Sequence, residues 1–491
     1  MSVLAIDAGT TGVTALVVAT DGSVLARGYE EFPQHFPQPG WVEHEPEQIW
    51  QAVLAAVRAV LTADVEPPTC VGVTNQRETA VLWERSTLAA SRRAIVWQDR
   101  RSTAVCARLR ESGHEDRVRE LTGLRFDPYF TGTKLTWLAE SGDPSWAGVR
   151  DGSVAIGTVD SYVVARLTAG RVHVTDASNA SRTLLYDITA AEWSDELCDL
   201  LSVPSAALPE VVPSWGPVGR TDPDSFLGLD IPVAGIAGDQ QAALFGQACF
   251  SPGDSKCTYG TGSFVLVNTG GEIVRSDDGL LSTVAWQAPD GTVTYALEGA
   301  IFVTGAAVQW LRDGLGVISS AAETEALART SPDSGGLVFV PALTGLGAPD
   351  WDPDARGAIL GITRGTTRVH LVRATLEAIA YEVRDVVAVM RPPLTALRVD
   401  GGASANDLLC ELQAEQLGVP VERTSVAETT ALGAAFLAGL GTGVWSSTDE
   451  LRATWSLDRR FPPPAEKRPE IEAGYRRWRA AVERSRGWAA L

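Results

Sequence analysis

The chain has 491 residues, 45% of them apolar and 21% charged, with a formal net charge of −20. That length exceeds a single compact core, so two or three domains are expected. The negative surface disfavours nucleic acid and anionic lipid as partners, and an anionic substrate would need a local cationic pocket or a metal ion.

Residues 3–6 and 13–19 are β-rich and flank a tight loop, "DAGTTG", which offers Asp7, Gly9, Thr10, Thr11 and Gly12 but no Lys or Arg. Glycines let backbone N–H groups approach a phosphate and threonines add hydroxyls, although an ordinary hairpin turn reads the same way. No basic n-region or cleavage site precedes this strand, and no apolar run approaches the ~18–20 residues needed to span a bilayer, so a cytoplasmic protein is expected. "TDGS" at 20–23 is a hairpin turn leading into a third strand. After Pro46, residues Ile49, Val53, Val57, Val60 and Leu61 mark one face of a helix. "CVGVTNQRETAVLWE" then reads as strand, polar turn, strand, with Arg77 and Glu78 at the turn. Such a pair supplies the donors and acceptors that a polyol needs, or else it is a surface ion pair. Trp97 in "AIVWQDRR" and Tyr129 in "FDPYFTGTK" belong either to the core or to the wall of a small sugar site.

In "VAGIAGDQQAALFG" an apolar strand runs into Gly238-Asp239-Gln240-Gln241 and then an Ala-rich helix. Asp239 at that junction either accepts a hydroxyl proton, as phosphoryl transfer requires, or merely caps the helix. The opening pattern recurs in "DSKCTYGTGSFVLVNTGGEI" (254–273), and "LRVDGGASANDLLCELQAEQLGVPVE" sets a Gly pair between a strand and a helix over about 405–417. A strand end beside a helix N-terminus is a ready anion or nucleotide site. The two α/β halves, 1–247 and 248–491, therefore predict a bilobal protein with a nucleotide in its cleft. "FPPPAEKRP" (461–469) introduces a C-terminal helix. Neither G-x-x-x-x-G-K-[ST] nor a G-x-G-x-x-G after the first strand occurs, which argues against a P-loop or a dinucleotide site. The six cysteines show no C-x-x-C spacing and are read as reduced thiols.

These stretches, together with "GWVEHEP", "HVTDASNASRT", "YALEG", "VQWLRD" and "ETTALGAA", resemble the FGGY carbohydrate kinases, in that family's order and from residue 4 to beyond 440. The resemblance is greatest to the members that phosphorylate glycerol. It implies an actin-like ATPase fold, two ribonuclease-H-like domains that close over glycerol and MgATP. It implies that Arg77, Glu78, Tyr129 and Asp239 hydrogen-bond the polyol, with Asp239 the catalytic base and Gln240 beside it. Trp97 and Phe264 become the apolar wall, and Asp7 the acid near Mg²⁺. Thr10, Thr11, Gly260 and Thr261 become the phosphate loops, and Gly305, Gln309, Gly402 and Asn406 the surroundings of the nucleotide. Self-association as a dimer or tetramer is expected on the same ground. The alternatives are a kinase for another small polyol or ketose, and a pseudokinase sensor. The chain departs from the family in three ways. Ala8, Gly12 and Thr14 stand where the first loop usually has Gln, Ser and Arg, so its cationic phosphate contact is missing. Asp350 stands where many relatives have Tyr. Residues 219–232 lack both a sugar-bisphosphate loop and a phosphorylatable His, so neither control is expected.

Overall fold

Two mixed β-sheets of like topology face each other in the computed structural model, which describes residues 1–63, 65–466 and 469–490. The first contains Ser2–Ala8 (β1), Gly12–Ala19 (β2), Val24–Glu31 (β3), Cys70–Asn75 (β4), Trp215–Arg220 (β5) and Pro232–Gly238 (β6), in the order β5-β6-β4-β1-β2-β3. The strands β1, β2 and β3 form an antiparallel meander, and β4 and β6 run parallel to β1. The second sheet contains Ser255–Tyr259 (β7), Ser263–Gly270 (β8), Leu281–Gln287 (β9), Val293–Ile301 (β10), Leu397–Asp400 (β11), Val421–Thr424 (β12) and Leu457–Phe461 (β13), in the order β9-β10-β8-β7-β11-β12-β13. Here β7 and β8 form the antiparallel pair around the second Gly-Thr loop, with β11 and β12 parallel beside them. The pattern legible twice in the sequence is thus a repeated architecture, the actin-like fold.

Continuous apolar runs explain the centre of the first sheet. Val3, Leu4, Ala5 and Ile6 are fully buried on both faces of β1, a central strand with β2 antiparallel on one side, β4 parallel on the other and helices over both faces. One face of the sheet lies under the helix Pro46–Leu61 (α1), whose Ile49, Val53, Val57 and Val60 meet Leu4, Ile6, Val13 and Val17 in one core. The opposite face packs on two further helices, Asp239–Gly246 (α2) and Thr429–Thr442 (α5), through Val3, Ala5, Leu16 and Val18. Helix α5 therefore returns from the second half of the chain onto the first sheet. Its approach to α2 is very close: a Cβ on Gly433 would stand 1.8 Å from the carbonyl oxygen of Ala242.

In the second half, Arg368–Ala388 (α3) and Asp407–Leu417 (α4) cover the other sheet. The expected lead-in over 461–469 includes residues 467 and 468, which lie outside the described residues, and the helix Pro469–Ser485 (α6) follows. Asp350 gains a structural reason here, because its carboxylate takes Arg479 of α6 in two hydrogen bonds of 2.9 and 3.0 Å. All six cysteines are buried and none pairs with another. Among the described residues no helix is long and apolar enough to cross a membrane.

Candidate active site

The floor of the cleft is made by the carboxyl ends of β1, β4 and β6. Ala8 pairs with Asn75, and Asn75 with Gly238, so the residues that leave these strands emerge side by side. They are the turn Gln76-Arg77-Glu78 and Asp239, with Asp7 one residue before the end of β1. Gln76 ties the turn to the first loop, its amide donating to the carbonyl oxygen of Gly9 at 2.9 Å.

Asp239 does not act as a helix cap. It is the first residue of α2, the cap position is Gly238, and no side-chain cap bond forms there among the described residues. Its Oδ1 accepts from the N–H of Gln240 at 2.7 Å and stands 3.3 Å from Nε of Arg77. The side chain keeps 25% of its surface open to the cleft. Burial pushes the Asp239 carboxyl up from its ordinary range, against the pull of Arg77 and Lys256.

The Arg77–Glu78 pair is not at the surface either: the two residues are 2% and 1% exposed. Glu298 of β10 grips Arg77 with both oxygens, at 2.5 and 3.0 Å, and receives Arg182 at 2.9 Å. Arg182 also donates to Glu78 at 2.7 Å, and Arg77 to the hydroxyl of Tyr129 at 3.2 Å. Burial works against the Arg77 charge, but Glu298, Tyr129, Glu78 and Asp239 around it hold it firmly protonated. Although burial opposes its ionisation, Arg182 and Arg77 hold Glu298 down at about 2. Glu78 itself takes a left-handed backbone, φ 61°, unfavourable for a side chain of its size and held here by the ion pair. Above this floor Trp97 stands edge-on to Tyr129 at 5.7 Å and to Phe264 at 6.3 Å, one aromatic wall drawn from both halves of the chain. The indole N–H of Trp97 donates to the hydroxyl of Thr10 at 3.0 Å and so joins the wall to the first Gly-Thr loop.

Three residues of this constellation have no signal of their own in the sequence. Glu298 and Arg182 sit in the matched stretches "YALEG" and "HVTDASNASRT", yet they meet Arg77 and Glu78 from 221 and 104 residues away. The third is Lys256 of β7, fully buried, whose ammonium donates to Oε1 of Gln240 at 2.5 Å and to the Thr258 hydroxyl at 2.9 Å. A buried lysine beside the second Gly-Thr loop is the only hint that "DSKCTYGTG" offers.

Asp7 faces Asp239 from β1. Its Oδ1 is buried without a hydrogen-bond partner, and burial together with the Asp239 charge pushes the carboxyl up to about 8. A cation would satisfy that oxygen and relieve both acids. Among the described residues no three His, Cys, Asp or Glu side chains gather as metal ligands. Asp7, with Asp239 opposite, offers the one or two carboxylates that suit Mg²⁺, an ion that completes its shell with water and phosphate oxygens.

Beyond the second loop lies a cavity of about 510 Å³ lined by Gly260, Thr261, Gly305, Gln309, Gly402 and Asn406. Gly401, at φ +82°, brings β11 so close that a Cβ would stand 2.5 Å from the carbonyl oxygen of Tyr259, whereas at Gly402 the space toward the cavity is open. Asn406 is partly committed to structure, since its side chain caps α4 through Leu409 at 3.0 Å and donates to Thr324 at 3.1 Å. The expected residues therefore form two groups, the polar floor and the 510 Å³ cavity, with Asp7 near the end of β1 and Thr10 and Thr11 on the loop that follows it.

Residues 2–246 match the N-terminal domain of the FGGY family of carbohydrate kinases, and residues 255–442 match its C-terminal domain. The chain belongs to the FGGY family of carbohydrate kinases. Among FGGY kinases it is 54% identical to the glycerol kinase of Aromatoleum aromaticum and 52% identical to glycerol kinase 2 of Thermotoga maritima, with 99% of each chain covered in both cases. The crystal structure of Plasmodium falciparum glycerol kinase with ADP superimposes with a TM-score of 0.90 at 32% identity, covering 99% of this chain and 98% of that one. A xylulose kinase from Lactobacillus acidophilus shares the FGGY kinase fold, with a TM-score of 0.87 at 21% identity, 98% of this chain and 97% of that chain.

Proposed function

We propose that this kinase transfers the γ-phosphoryl group of MgATP to glycerol, giving ADP and sn-glycerol 3-phosphate. The reading rests above all on the small polar floor: Arg77, Glu78, Tyr129 and Asp239 converge there under the Trp97–Phe264 wall. Glycerol is small and neutral, so its affinity must come from several directed hydrogen bonds in a pocket shut off from water. The buried charges are already paired with one another, which fixes their donor and acceptor atoms before substrate arrives. Full-length similarity to glycerol kinases supports the same substrate.

In the proposed reaction the hydroxyls of glycerol lie on Arg77, Glu78, Tyr129 and Asp239, and its carbons lie against the two rings. The attacking hydroxyl gives its proton to Asp239 as its oxygen bonds to the γ-phosphorus. The bond from that phosphorus to the β–γ bridging oxygen breaks, and ADP leaves. Burial raises the proton affinity of Asp239 and suits it to accept, while Arg77 and Lys256 favour its ionised form beforehand. Thr10, Thr11, Gly260 and Thr261 present amides and hydroxyls to the phosphates, and the 510 Å³ cavity takes the adenosine end. When bound at Asp7, Mg²⁺ supplies charge neutralisation for the transferring group.

A kinetic panel of glycerol, dihydroxyacetone, erythritol, xylulose and gluconate tests the assignment. Glycerol is expected to give the highest kcat/KM. A ranking that leaves it behind a ketose or a sugar acid sinks the proposal.

A further inference from the structure

The loop between β1 and β2 faces the phosphate site without Lys or Arg. What lies over it is a side chain from the neighbouring strand. In the β2–β3 ladder Tyr29 is the antiparallel partner of Thr14, and Glu31 that of Gly12. The Tyr29 ring leans along the strand toward the loop: a Cβ on Gly12 would stand 2.7 Å from the phenol oxygen and 2.8 Å from Cε2. Glycine at position 12 is therefore what allows the phenol to rest on the loop, one residue from Thr11 and two from Thr10. The side chain is on the face of β2 that carries Leu16 and Val18 toward α5, the face turned to the second half of the chain.

Tyr29 is 42% exposed, and among the described residues its hydroxyl enters no hydrogen bond. Its neighbour Arg27 pairs with Glu428, just before α5, at 2.6 Å, and its guanidinium carbon lies 5.6 Å from the Tyr29 ring centroid. That contact ties β3 to the opposite half of the molecule and leaves a cation beside the ring. The position is thus fixed, aimed at the loop, and provided with an unused donor.

We propose that Tyr29 is a nucleotide-binding residue of this chain, its phenolic O–H donating to a terminal phosphate oxygen of the nucleotide held between the two Gly-Thr loops. It supplies from β3 the side-chain donor that Thr14 on β2 is too short to provide. This rests on the ATP-dependent reading above. A donor aimed at a charged phosphate is stronger than one between neutral groups, so its loss is measurable.

Tyr29→Phe removes the hydroxyl and keeps the ring. The ATP KM in the glycerol assay, and the ADP Kd from calorimetry, are expected to rise about tenfold. The glycerol KM, the AMP affinity and the thermal midpoint are expected to stay at wild-type values. Unchanged ATP KM and ADP Kd overturn the proposal, and so does an equal weakening of AMP, which would trace the effect to the shape of the site and not to the terminal phosphates. Failure of the kinase reading shows separately, as wild-type protein that forms no ADP in response to glycerol.

Discussion

Burying two arginines and several acids in one cleft destabilises a protein unless each charge meets its partner. Here every member of the Arg77, Arg182, Glu78 and Glu298 cluster does so, and one further charge supports the cluster from behind. Lys134 is fully buried and donates to the carbonyl oxygen of Tyr129 at 2.5 Å. Burial lowers its proton affinity from 10.5 to about 7, against the attraction of Glu78, Asp99 and Asp127. Between those two values the unfolded chain holds a proton on Lys134 that the folded chain has released, so stability rises with pH across the window. Below pH 7 both states are charged, and the full cost of burying the ammonium opposes folding. Lys134→Met lacks this term. Its urea-unfolding free energy relative to wild type should therefore fall by about 1 kcal/mol per pH unit on going from pH 7 to 9, whereas a difference independent of pH would show that Lys134 keeps its ordinary proton affinity. At this scale the sequence is legible where the chemistry is local. Arg77, Glu78 and Asp239 stand out because polar residues interrupt apolar strands. Glu298, Arg182 and Lys256 do not, because their meaning lies in partners 221, 104 and 16 residues away.

Strand, Gly-Thr loop, strand is readable because each apolar run stops at residues that only a tight loop wants, and the parallel strands behind it announce themselves by being apolar throughout. Helix α5 shows what is not readable. Nearly all of its residues from Thr429 to Gly439 are buried, which says that it is enclosed but not by what. The structure places it against α2, the helix that begins at Asp239, with glycines where the two backbones nearly touch. Gly433→Ala would drive a methyl group into the Ala242 carbonyl, 1.8 Å from where its Cβ must lie. The helices must then part, at about 1–3 kcal/mol of stability as for other overpacked sites. Because Asp239 opens α2, kcat should fall in the same variant, while ADP affinity, assigned above to the 510 Å³ cavity formed by other elements, should stay at the wild-type value. Wild-type stability and turnover in Gly433→Ala would mean that the contact does not position the helix.

For the whole molecule, the repeated sheet topology sets one Gly-Thr loop on each side of a cleft, and the ends of β1, β4 and β6 form its floor. Fold alone does not select a substrate, since FGGY kinases for different sugars share this architecture. That role is proposed for the side chains on the floor, and among them Asp239 matters most, because it is the group proposed to take the proton of the attacking hydroxyl. Asp239→Asn keeps the size and most of the hydrogen bonding of that side chain but cannot accept the proton. The most direct test is the rate of glycerol-dependent ADP formation by Asp239→Asn at saturating glycerol and MgATP, with glycerol binding followed in parallel by calorimetry. The kcat is expected to fall at least about a hundredfold below wild type in a protein that still binds glycerol. Turnover equal to wild type would contradict the proposed role of Asp239.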